Sequence, residues 1–247
     1  MYLTLTGAVD LGHGRHVYPF TFQLPNKDMP SSFKGCHGKI RYKLLAKLNR
    51  SMHVPKKAET HFTFVSKANM ADPELMSPQY GSKDKEVKVF AYGNVSMNVS
   101  TERTGYHQGE DVAVIAEIVN NSTHRVVPKF YVYQKQSFFA RGRRRVVTKD
   151  ILKEKGQLPL DSSTRRTLTQ NLAIPQEITN SILNCRILRV EYRIKAVLDI
   201  PMARDPHVKL PLVVLPQQDD GSTSKERAAR PETVNSPEKN SHHYGWK

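Results

Sequence analysis

Leu188-Arg189-Val190-Glu191-Tyr192-Arg193-Ile194-Lys195-Ala196-Val197-Leu198-Asp199-Ile200 carries an apolar or aromatic side chain at every even position, while Arg189, Glu191, Arg193 and Lys195 hold odd ones. Successive side chains of an extended chain point to opposite faces, so this alternation predicts an antiparallel strand with one buried and one wet face. The same signature stands 150 residues earlier, with Ile40, Tyr42, Leu44, Ala46 and Leu48 on one side and Lys39, Arg41, Lys43 and Lys47 on the other. The flanks agree. Pro30-Ser31-Ser32-Phe33 and then Cys36 precede the first copy, and Asn180-Ser181-Ile182-Leu183 and then Cys185 precede the second. Each copy is followed by a polar stretch and a further strand, at 61–65 and 208–215. Self-similarity at this period predicts two tandem domains.

Further strand candidates lie at 17–24, 86–90, 95–100, 112–120, 129–136 and 146–152. Short strands separated by Gly, Pro, Asn and Asp, without a 3.6-residue period, predict an all-β chain of two immunoglobulin-like β-sandwiches. Segment 67–85, with Pro73, Pro78 and Gly81, is the expected linker between a first domain over 1–66 and a second over 86–216. The polar stretch 217–247 is expected to be a disordered tail. Only 41 residues precede Tyr42, far fewer than separate Glu86 from Tyr192. The first domain is therefore expected to lack its opening strands, to expose sheet edges and an apolar face, and to be poorly stable or to need a partner.

The 247 residues include 38 Lys and Arg against 23 Asp and Glu, a formal charge of +15, with 38% hydrophobic residues. That balance fits a globular chain with basic surfaces and an acidic partner. Two widely separated cysteines make no disulfide framework, so a reduced cytosolic setting is expected. The opening stretch lacks a basic segment followed by a long apolar one, and no apolar run is long enough to cross a bilayer. The glycosylation-like triplets starting at Asn49, Asn94, Asn98, Asn120 and Asn121 carry little weight without an export signal. No Gly-x-Ser-x-Gly elbow, phosphate-cradling glycine loop, His-Glu-x-x-His or paired catalytic carboxylates occur, and the ten histidines are dispersed. Neither an enzyme, a metal site nor a cofactor is expected.

Arg141-Gly142-Arg143-Arg144-Arg145, reinforced by Lys135, Lys149, Lys153 and Lys155, lies between two strand candidates. This places a dense positive tip on a β-hairpin, where guanidinium groups suit phosphate oxygens of anionic lipid headgroups, inositol phosphates or a phosphorylated receptor tail. A solvated hairpin tip is the other reading. Gly105-Tyr106-His107-Gln108-Gly109-Glu110 reads as a tight turn whose ring covers one end of a sandwich. Cys185 and Cys36 read as core residues rather than reactive thiols. A basic nucleic-acid-binding β protein is the minor alternative that the charge suggests, but nucleic acid is not an expected partner: Tyr131 and Tyr133 are the main aromatics near the arginines, and no RNA-binding signature occurs. Ser236-Pro237 matches a proline-directed phosphorylation site.

The chain resembles the α-arrestins, the arrestin-domain-containing proteins. In the first domain the resemblance rests on residues 14–25, 30–35 and 38–42. In the second it rests on Gly105-Tyr106, Gly109-Glu110, the 117–121 strand end with Asn120, Ser181-Ile182-Leu183 with Cys185, Arg189-Val190-Glu191-Tyr192 and Leu210-Pro211-Leu212. It implies two sandwiches of seven to eight strands joined by a hinge, and a non-catalytic adaptor that links cytosolic tails of membrane receptors or transporters to endocytic sorting, ubiquitin ligases and signalling. It also implies a cytoplasmic protein found peripherally at the plasma membrane and endosomes. The family's N-terminal domain normally begins with strands absent here. Ligase recruitment in the family uses Pro-Pro-x-Tyr motifs, which the tail lacks; its tyrosine, Tyr244, follows His242-His243. The resemblance therefore implies no direct ligase contact and allows a form that occupies cargo without delivering the ligase. Thioredoxin capture, known in one branch, needs a cysteine upstream of the one matching Cys185, and residues 156–172 contain none.

Overall fold

The even positions of 188–200 are buried as one continuous row: Val190, Tyr192, Ile194, Ala196 and Leu198 are at most 1% exposed. The computed structural model describes residues 13–17, 19, 21, 23–24, 28–50, 52–67, 72–87, 93–156 and 158–218. In chain order these form β1 (Phe33–Lys34), β2 (Lys39–Ile40), β3 (Tyr42–Arg50), β4 (His53–Phe62), α1 (Pro73–Met76), β5 (Gln79–Val87), β6 (Gly93–Thr101), β7 (Gly105–His107), β8 (Asp111–Asn120), β9 (Val127–Ala140), β10 (Arg143–Lys155), β11 (Thr164–Ala173), β12 (Leu188–Asp199) and β13 (His207–Leu215).

Two sheets make the second unit, a five-stranded one in the order β10-β9-β12-β13-β7 and a four-stranded one in the order β11-β8-β6-β5. β7 runs parallel to β13, and the other pairs are antiparallel. The inner row of β12 belongs to one core with Val112, Val114, Ala116 and Ile118 of β8 and Val95, Met97 and Val99 of β6. Each fully buried aliphatic side chain contributes roughly 1.5–3 kcal/mol relative to exposure. This is the sandwich expected from alternation.

The expected linker departs from this. Segment 67–85 carries α1, capped by the Asp72 side chain accepting from the Glu74 N–H at 3.0 Å, and most of β5. β5 pairs with β6 along its full length from Gln79 to Val87, so the second sandwich begins before Glu86. Its polar sequence hid it, because an outer strand needs little apolar content on its wet face. The strand expected over 17–24 falls partly outside the described residues, and its described positions are not in strands. The tail, with Ser236 and Tyr244, lies outside them from residue 219 onward. Among the described residues no helix is long and apolar enough to cross a membrane.

The internal repeat is visible as matched bonds. The Tyr42 hydroxyl donates to the Pro30 carbonyl at 2.6 Å, and the Tyr192 hydroxyl donates to the Thr179 carbonyl. Ser31 Oγ accepts the Ser66 N–H at 2.9 Å, as Ser181 Oγ accepts the Val214 N–H at 2.9 Å. Each copy thus ties the turn before its long strand to the strand end that follows. The two turns also meet, with Asn180 Nδ2 donating to Ser31 Oγ at 2.9 Å. Phe33 is buried in the second unit's core, and His37 stands edge-on to Phe138 with ring centroids 5.5 Å apart.

The copies differ in cover. β3 and β4 pair only with each other, and the row expected to be buried is covered only at its start: Ile40, Tyr42 and Leu44 are half-buried, whereas Ala46 is exposed and Leu48 is 48% exposed. No second sheet lies over this hairpin among the described residues, which is the physical reason the alternation misled. Cys36, expected in the core, is exposed in the bend between Gly35 and Gly38, whereas Cys185 packs half-buried against the core.

Burial pushes the Tyr192 hydroxyl from 10.0 up to about 12, partly offset by the hydrogen bond from Gln134. The unfolded side chain ionises near 10, so the stability linked to this group is intact below that pH and is lost as pH rises toward 12. The expected slope is about 1.4 kcal/mol per pH unit. Alkaline denaturation of wild type beside Tyr192→Phe checks it. The variant is less stable at neutral pH but loses stability less steeply above pH 10; parallel curves rule the linkage out.

Candidate anion-binding site

The β9–β10 hairpin turns on two residues with left-handed backbones, Arg141 at φ 49 and Gly142 at φ 72. Positive φ at both central positions matches the right-handed twist of the flanking strands. Ala140 and Arg143 then close the ladder. Directly opposed residues share a face, so register decides where each basic side chain stands. Arg144 opposes Phe139 and Thr148 opposes Lys135, while Arg143, Arg145 and Lys149 oppose Ala140, Phe138 and Gln134. Lys135 and Arg144 therefore stand on the outer face of the five-stranded sheet, and Arg143, Arg145 and Lys149 have the other parity. The six residues expected as one cluster are split by strand alternation.

Two of them are engaged. Arg144 Nη2 donates to Ser137 Oγ at 2.9 Å with its guanidinium 5.6 Å from the Phe139 ring centre, and Lys135 Nζ lies 3.2 Å from Glu191 Oε2. The arginines beyond Arg144 remain exposed. Arg189 opposes Ser137 on the same outer face, and Phe139 N–H bonds the Ile187 carbonyl at 2.9 Å, holding the Arg186–Ile187 loop beside the tip.

On the outer face Lys153 and Tyr131, expected near the tip, are joined in one row by Lys195 and Lys209, which sequence spacing does not place there. Lys153 opposes Tyr131, Tyr131 opposes Lys195, and Lys195 opposes Lys209. The Lys153 and Lys195 ammonium groups lie 5.7 and 5.5 Å from the Tyr131 ring centre. The next row holds Tyr133 between Asp150 and Arg193. On the other side of the lysine row His207 opposes Val197, and partial burial first, then the charges of Lys209 and Lys195, hold its imidazole below the ordinary range. Lys129, by contrast, is held by Asp199 at 2.5 Å. The available signal was the run of odd-position Arg and Lys in β12; their convergence with Lys153 and Lys209 needs the register.

Gly105 and Tyr106 lie in β7 rather than in a turn, and the turn falls on Gln108-Gly109, with Gly109 at φ 86. Glu110 Oε2 accepts the His107 N–H at 2.6 Å and Arg103 Nη2 at 3.2 Å, while the Arg103 guanidinium sits 4.5 Å from the centre of the buried Tyr106 ring. Burial raises the Tyr106 hydroxyl. These contacts lock the edge of the sandwich and leave nothing aimed at a ligand. Among the described residues the surface also holds a groove of about 510 Å³ by Phe33, Tyr42 and Phe62 and another of about 640 Å³ by Tyr80, Asn98 and Glu117. Among the described residues no group of three or more His, Cys, Asp or Glu is placed to hold a metal ion.

Residues 91–218 match the family described as arrestin (or S-antigen), C-terminal domain, and residues 4–71 match its N-terminal domain. Arrestin domain-containing protein 4 from Mus musculus is 35% identical over 210 residues, covering 84% of this chain and 50% of that protein. The Homo sapiens protein of the same name is 32% identical over 91% of this chain and 54% of its own length. Thioredoxin-interacting protein from Rattus norvegicus is 28% identical over 87% of this chain and 55% of its own length. The chain spans about half the length of these relatives.

Proposed function

Because the chain belongs to the arrestin family, in its α-arrestin branch, we propose that it is a non-catalytic adaptor that binds cytosolic segments of membrane receptors or transporters for endocytic sorting. The observation that carries this reading beyond the family is the arginine-rich β9–β10 tip, raised on a two-residue turn and flanked by Arg189. Guanidinium groups exposed there suit carboxylates and phosphates of a receptor tail, and the same chemistry suits anionic headgroups under that tail. The adaptor works in the cytoplasm and peripherally at plasma membrane and endosomes. These 247 residues carry no Pro-Pro-x-Tyr, so the proposed role of this stretch is cargo binding rather than ligase docking. One relative is named for thioredoxin; with no cysteine in 156–172, this chain does not share that capture.

Binding of phosphorylated receptor-tail peptides to the full chain tests the reading. Reversing Arg143, Arg144 and Arg145 to Glu is expected to weaken binding more than about tenfold at low salt and less at high salt, since exposed charges are screened. Unchanged affinity, with folding intact, removes the tip from the site. The open β3–β4 hairpin favours a second reading, a form whose first half folds poorly and which occupies cargo without delivering a ligase.

A further inference from the structure

β10 is the outermost strand of its sheet, pairing with β9 on one side and with no described strand on the other. Such an edge presents a row of unpaired N–H and C=O groups, a template for another strand. From Arg143 to Asp150 the row runs without register shift; the irregularity comes only between Asp150 and Leu152. No proline or glycine interrupts it, and Val146-Val147-Thr148 at its centre are β-branched, the type that favours pleated backbone. The strand's charges are strongly one-signed, with Arg143, Arg144, Arg145, Lys149, Lys153 and Lys155 against Asp150 and Glu154. Like charges facing each other across a ladder are destabilising, so two copies of this edge repel while an acidic strand is drawn in.

We propose that the free edge of β10 binds an extended acidic segment of a partner protein, which adds as a further strand along Arg143–Asp150. This rests on the adaptor reading and specifies how its cargo is held. Register sets the preference. Arg143, Arg145 and Lys149 share one parity with Val147 between them, so acidic side chains at alternate positions of the added strand stand beside the cations. Main-chain bonds give affinity, and the alternate charges give selectivity. A bilayer or a nucleic acid matches the charge but cannot continue the ladder.

The test is fluorescence anisotropy of the full chain with a labelled (Glu-Thr)5 peptide and two versions of it, N-methylated at all odd or all even residues. Consecutive strand residues direct their N–H groups to opposite sides, so only one parity faces β10. The expected result is binding of the parent, retention by one methylated version and more than about tenfold loss by the other. Arg145→Glu with Lys149→Glu is expected to weaken the parent to a similar degree. Equal binding of all three peptides, or no binding of the parent, overturns the proposal. Receptor-tail capture without (Glu-Thr)5 binding removes the edge and leaves the adaptor reading standing, whereas failure of both removes both.

Discussion

Replacing Leu198 with alanine is expected to cost about 3 kcal/mol, while the same replacement at Leu48 changes stability by less than about 1 kcal/mol. The two leucines occupy equivalent positions of the internal repeat, 150 residues apart and each three pairs of positions beyond its tyrosine, Tyr42 or Tyr192. Leu198 is fully buried in the sandwich core, and its backbone N–H bonds the Pro206 carbonyl at 3.0 Å. Truncating it removes the transfer free energy of the lost methyl groups and leaves a cavity between two sheets that cannot collapse freely. Leu48 is 48% exposed on an isolated hairpin, where water already touches the side chain. Calorimetry of the two variants beside wild type checks the contrast. The Leu198 variant should unfold on the order of 10 °C lower, at a few degrees per kcal/mol for a domain of this size. A comparable loss from Leu48→Ala means that the β3–β4 face is covered in solution.

That contrast marks the boundary of what alternation can tell. Period-two patterning reports which face a strand intends to bury, and it located β12, β8, β9 and β13 because a second sheet is there to meet them. The identical pattern in β3 named the same intention, yet cover depends on residues elsewhere in the fold. β11 was invisible for the opposite reason. As an edge strand it buries only Leu172, so Arg165, Arg166 and its threonines show no alternation. The basic surface was legible at the β9–β10 tip, where arginines are adjacent in sequence. It was illegible across Lys153, Lys195 and Lys209, which meet only through the ladders of four strands.

Asn120→Ala is expected to cost about 3 kcal/mol, although it removes no apolar contact. Asn120 is 0% exposed at the end of β8, where the chain leaves the sheet and must turn before β9. Its Nδ2 donates to the carbonyls of His124 at 2.8 Å, Leu160 at 3.2 Å and Asp161 at 3.0 Å. Its Oδ1 accepts from the Ser122 N–H at 3.1 Å and the Ser122 hydroxyl at 2.6 Å. One amide thus holds the 121–124 loop on one side and the Leu160–Asp161 stretch, itself bridged to Val126, on the other. An alanine gives neither donor nor acceptor, so buried groups lose partners that water cannot replace, each at about 1–3 kcal/mol when left unsatisfied. Part of this is recovered because Leu160 O still accepts the Val126 N–H at 2.9 Å. Asn120→Asp separates charge from hydrogen bonding: it keeps the Ser122 acceptor but turns the donor toward three carbonyls into another oxygen, and should be at least as destabilising as alanine. Urea denaturation of both variants, with unchanged m-values as evidence of an intact fold, decides it. A loss below about 1 kcal/mol for both means that the loop holds itself in place and the amide is dispensable.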